Sequence, residues 1–231
     1  MMKTTEYYIK ARLFPTIICA IPILTLYYFG FSEKVIDFID FLKGYKWVSD
    51  ITISVALIYL MTQINRFVSK ELFQKVFFKD ELNMPTTNFL LHSGTFFAEN
   101  IKSRIREKIQ EKFDIKLLTK SEEDENELEA RKTIIGAVAQ VRNATRDNNL
   151  LLQHNIEYGF TRNLIGGCAI AVLISLLNLY FFNNIIPNTL AFNISIGLGI
   201  LYSLPILLSK YLVNRYGKYY AKILFEQFLK V

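Results

Sequence analysis

Four apolar runs, each close to the length of a bilayer crossing, constrain this chain more than any other feature. They cover 13–31, 47–64, 164–186 and 190–213. A spanning helix needs about 20 mostly apolar residues, so each run reads as a transmembrane helix. Pro15 falls in the first turn of its helix, where a missing N–H is harmless. Pro22 lies further in and should kink that helix, and Pro205 should bend the fourth. Trp47 suits an interface, and Asp50 lies near enough to that end to be solvated.

The remaining composition fits a membrane protein with a substantial polar part. The chain of 231 residues is 52% hydrophobic yet 21% charged, with mean hydropathy +0.23. The net charge of +6 is read as topology and lipid contact before nucleic acid. Cys19 and Cys168 both sit in apolar runs without metal-ligand spacing, so no disulfide framework is expected. The first apolar run lacks a small-residue cleavage pattern and is expected to be retained.

Loop charges orient the helices. Lys3, Lys10 and Arg12 precede the first, the loop 33–46 balances three Lys against three acids, and the loop 187–189 carries none. Five Lys or Arg against Glu226 follow Leu208. The positive-inside rule then puts both termini and residues 65–163 in the cytoplasm and both short loops outside. Residues 33–45 have the pattern of a short amphipathic helix in the outer interface. The fold class is all-α: an integral membrane protein with four transmembrane helices and a helical cytoplasmic domain between helices two and three. The divisions fall at 1–64, 65–163 and 164–231, the last with a basic tail.

Within 65–163 the pattern is helical. Residues 66–82 continue out of the second span, with Phe67, Leu72, Val76 and Phe77 on one face. Pro85-Thr86-Thr87 looks like a helix start, and Gly94 is a possible bend. Ile101, Ile105 and Ile109 form a stripe at spacing four, surrounded by Lys102, Arg104, Arg106, Lys108 and Lys112. The acidic stretch 121–129 reads as a solvated helix start with Ser121 as N-cap, and a cation site is the sharper alternative.

Function is looked for in 142–167, RNATRDNNLLLQHNIEYGFTRNLIGG, where anion-holding and hydrogen-bonding groups run directly into the third span. Lys132, Arg142, Arg146, His154 and Arg162 are the candidate ligand-binding set, because Arg pairs its donors with phosphate oxygens. A solvated face with salt bridges to Asp147 and Glu157 is the plain alternative. Ser175 and Asn178 are candidates for a pore or a helix interface, Asn178 because a polar group near mid-bilayer needs a partner or a wet cavity. Small residues at spacing four, Gly167, Ala171 and Ser175, then Ser195, Gly199 and Ser203, suit close helix packing. With His92 and His154 as the sole histidines and no Walker or dinucleotide loop, no enzyme, metal site or cofactor is expected.

This layout, with its QHNIEYGFTRNLIGG junction, resembles the membrane effectors of bacterial anti-phage defence loci: the Hailong type and the multi-spanning effectors of cyclic-oligonucleotide systems. The resemblance implies a homo-oligomeric, pore-forming ion channel of the bacterial inner membrane, gated by an oligonucleotide signal from a nucleotidyltransferase partner. Two other readings stay open: a membrane-anchored scaffold that recruits a soluble partner, and a small transporter.

Overall fold

The computed structural model describes residues 2–31 and 50–231. The outer amphipathic helix expected over 33–45 and the start of the second apolar run lie outside the described residues. All regular structure in the described residues is helical. By length and composition, three described helices can cross a membrane: α1 (Thr4–Phe31), α7 (Asn149–Asn184) and α8 (Thr189–Leu207). The second apolar run forms α2 (Asp50–Val68).

Two compact units result. The first comprises residues 1–73 and 160–209, the second 74–159 and 210–231. α7 contributes residues to both.

In the first unit, α1 is irregular where its sequence demands it. A turn at Ala20 separates Phe14–Cys19 from Ile21–Leu26, because Pro22 interrupts the hydrogen-bond ladder. The wider π form appears at Ile9–Leu13 and Tyr27–Phe31, and again at Ser69–Gln74 beyond α2. The interior is small and tight, with Cys19, Cys168, Ala171 and Tyr202 packed together. The outer surface is apolar: Phe14, Ile17 and Leu24 of α1, Val55, Leu57 and Leu60 of α2, Leu173 and Leu177 of α7, and Ile200 and Leu204 of α8 are all exposed. So much exposed apolar surface is unfavourable in water and expected against lipid.

The second unit has an ordinary hydrophobic core. α4 (Glu99–Phe113) supplies Ile105 and Ile109, and α6 (Glu127–Ala144) supplies Ile134, Val138 and Val141. α9 (Ser209–Phe228) supplies Ala221, Leu224, Phe225 and Phe228. The expected basic tail is therefore a core helix. Val213, Ala221, Leu224, Phe225 and Phe228 are wholly buried at helical spacing, and the Lys and Arg between them occupy the other face. Gly217 keeps α9 close to its neighbours, since a Cβ there would lie 3.2 Å from Pro85 Cγ.

Helix ends follow local chemistry. The chain leaves the extension of α2 at Lys79, which is left-handed at φ 45°. Pro85 starts the single turn α3 (Pro85–Asn88). The cap of α5 (Lys120–Glu125) is Thr119, not Ser121. Thr119 and Glu122 form a reciprocal capping box, in which the Thr119 N–H donates to Glu122 Oε2 at 2.7 Å. These bonds from the Thr119 N–H and hydroxyl hold the Glu122 carboxyl below its ordinary pKa. Asn126 then breaks the acidic stretch and caps α6 by accepting from the Glu129 N–H at 3.1 Å.

The segment 89–98 is held by charged side chains. Lys102, 1% exposed, donates to the carbonyls of His92 at 2.9 Å and Gly94 at 2.8 Å. Glu123, 3% exposed, accepts the N–H groups of His92 and Ser93. Two buried charges survive because each is spent on backbone groups that would otherwise be unpaired.

Candidate functional site

The polar groups of the first unit converge where α1, α2 and α7 meet. Asn163 of α7 is 1% exposed and lies between two π segments. Its Nδ2 donates to the Ala11 carbonyl at 2.6 Å. Its Oδ1 lies 3.0 Å from the Ser69 hydroxyl, which is also 2.9 Å from the Arg66 carbonyl. One proton thus serves two acceptors. Asn65 of α2 donates to Thr16 Oγ1 at 3.1 Å, and its own Oδ1 has no hydrogen-bond partner among the described residues.

Two glycines make this approach possible. A Cβ on Gly166 would lie 2.6 Å from Ser69 Cβ and 2.7 Å from the Asn65 carbonyl oxygen. On Gly167 it would lie 2.7 Å from Cys19 Sγ. Only glycine lets α7 sit this close to both neighbours.

Prolines in α1 explain why side chains are needed. Pro15 has no N–H for the carbonyl four residues earlier, Ala11, and Asn163 donates there instead. Pro22 likewise fails Ile18, whose carbonyl receives the Tyr202 hydroxyl of α8. In lipid, no water would satisfy an open carbonyl. Side-chain bonds of this kind replace backbone bonds that cannot form, and π segments beside them mark places where helices re-register.

Asn178, expected at a pore or interface, is fully buried and donates to the Pro22 carbonyl at 2.8 Å. Its Oδ1 has no hydrogen-bond partner among the described residues. Ser175 is also fully buried and bonds back to the Ala171 carbonyl at 2.8 Å. A Cβ at Gly199 of α8 would lie 3.7 Å from Ser175 Cβ, so the two small-residue stripes meet at this pair within the chain.

The candidate ligand set is divided between the two units. Lys132 and Arg146 are exposed in the second unit. Arg142 lies 3.8 Å from Glu81, and His154 Nδ1 lies 3.3 Å from Glu157, both in that unit. Arg162 is buried at 8% exposure in the first unit.

Sequence reasoning passed over Thr16 and Ser69, and it marked Asn65 only as one of several polar groups on or beside the second span. The signal was the two prolines of α1: each predicts an open carbonyl, and hence a donor elsewhere. Comparison with protein-family models, curated proteins and solved structures returns no match for the chain.

Proposed function

We propose that the chain is one subunit of a homo-oligomeric, channel-like protein of the bacterial inner membrane. On this reading α1, α2, α7 and α8 all span the bilayer and the second unit is cytoplasmic. An oligonucleotide signal of anti-phage defence acts on the second unit, and the spanning helices respond. The observation that carries the proposal is the buried polar seam of Thr16, Asn65, Ser69, Asn163 and Asn178 inside a unit whose outer surface is apolar. Polar groups at membrane depth are costly and mark ion paths or moving interfaces. The asparagine oxygens of Asn65 and Asn178 leave acceptors for water or a passing cation.

Arg142→Glu with Arg146→Glu tests the gating half of the proposal. Induced expression in bacteria should show altered toxicity at unchanged membrane abundance. Unchanged toxicity at equal abundance would remove both residues from gating.

A scaffold reading draws on a different observation: the second unit has a complete hydrophobic core of its own. It predicts capture of a soluble partner through that unit and no ion leak.

A further inference from the structure

The second unit contains an open cavity of about 300 Å³ at the edge of α4, lined also by residues of the linker 114–119 and the start of α5. Its cations stand out. Arg106, Lys116 and Lys120 line it, together with His92 and Ser103, and Glu107 is the one carboxylate in the lining.

Arg106 is half-buried and held in place. Its guanidinium donates to the Leu90 carbonyl at 2.6 Å and to the Leu118 carbonyl. Those two bonds leave three of its five N–H donors for other partners. Neighbouring acids are already engaged: Glu123 on the His92 and Ser93 amides, Glu99 on Lys102 at 3.1 Å. No ion pair joins Arg106, Lys116 or Lys120 to a carboxylate among the described residues. His92 Nε2 has no hydrogen-bond partner there either. A half-buried guanidinium and two exposed ammonium groups line this cavity with a single carboxylate, and a planar fork of donors matches phosphate oxygens.

We propose that this cavity binds the phosphate group of a small phosphomonoester, with Arg106 as the fixed anchor and Lys116 and Lys120 closing on the outer oxygens. The volume is at the low end for ligand pockets, enough for one phosphate ester and not for a long chain. The site is separate from Arg142 and Arg146 and does not depend on conduction.

The test is calorimetric titration of the detergent-solubilised full chain with AMP and with inorganic phosphate, and of nanodiscs with and without phosphatidic acid. Wild type should bind at least one probe. Lys116→Glu/Lys120→Glu should weaken that binding by about tenfold or more. Lys218→Glu/Lys230→Glu, which alters the charge of the second unit equally at exposed positions outside the cavity, should bind as wild type. Arg106 is left intact because it also holds the 90 and 118 carbonyls. Preference for AMP, free phosphate or phosphatidic acid supports the site and identifies its source of phosphate. No binding of any probe by wild type, or equal weakening by both double variants, would overturn it.

Discussion

Replacing Asn163 by Leu should destabilise the first unit through one identifiable atom, the Ala11 carbonyl oxygen. Asn163 Nδ2 donates to that oxygen at 2.6 Å, and Ala11 is fully buried. Pro15 supplies no N–H to it. Removing one partner from a buried acceptor costs about 1–3 kcal/mol, more than the net worth of an average hydrogen bond. The Ser69 hydroxyl keeps the Arg66 carbonyl at 2.9 Å, so its loss adds little. Bonds between membrane helices average about 0.6 kcal/mol and reach about 1.7. We therefore expect Asn163→Leu to cost about 2 kcal/mol. The decisive comparison is made in a Pro15→Ala background, which returns an N–H to Ala11. There Asn163→Leu should cost about 1 kcal/mol less, a coupling measurable by a double-mutant cycle. The assay is SDS unfolding in mixed micelles, followed by tryptophan fluorescence or circular dichroism. Equal costs of Asn163→Leu in the two backgrounds would refute the idea that Asn163 replaces the bond Pro15 cannot make.

Three further outcomes follow from the same geometry. Gly166→Ala should greatly reduce folded protein, because its Cβ would meet backbone atoms at 2.7 Å, while Gly197→Ala, which meets nothing within 4 Å, should be neutral or stabilising by about 0.5–1 kcal/mol in the same unfolding assay. Lys102→Met should destabilise the second unit by about 2–4 kcal/mol in thermal unfolding by leaving the His92 and Gly94 carbonyls unpaired, and an unchanged midpoint would contradict that role. Glu99 and Glu122 are both held below their ordinary pKa, Glu99 by Lys102 and Glu122 by Thr119. A lowered folded pKa gives stability that is present above the unfolded pKa and is lost as pH falls through the folded one. Unfolding midpoints of the second unit should therefore drop on acidification through and below the usual carboxylate range, and Glu122→Gln should flatten part of that slope.

Much of this architecture was legible because hydrophobic runs and breaker residues act locally. The kink near Pro22, the start at Pro85 and the Ile105–Ile109 stripe all follow from spacing or from a missing N–H. The cap at Thr119 was harder to see, since Ser121 offers the same chemistry two residues later. The choice fell to the residue whose N3 partner, Glu122, can reach back to its N–H. The burial of α9 was masked by its charges: Lys218 and Lys222 alternate with buried positions and make an amphipathic core helix resemble a basic tail. Lys102 looked like one more surface cation beside an isoleucine stripe. It is buried because segment 89–98 folds over it, a contact between residues that no periodicity announces. The same holds for the three-helix junction. Gly166 and Gly167 were visible as a pair, but which helices they admit depends on α1 and α2 arriving from more than 90 residues away. Asn178 was legible as a polar group needing a partner, though not that the partner is the Pro22 carbonyl.

The central claim, a conducting membrane protein with its polar seam in the moving part, is tested most directly by membrane potential. Bacterial cells carrying a voltage-sensitive dye would be followed after induced expression, with the wild type beside Asn178→Leu, at matched membrane abundance and with the neighbouring genes present during phage challenge. The account predicts depolarisation by the wild type and its loss in the variant. No depolarisation by the wild type under challenge would contradict conduction, and equal depolarisation by both would take Asn178 out of the conducting path.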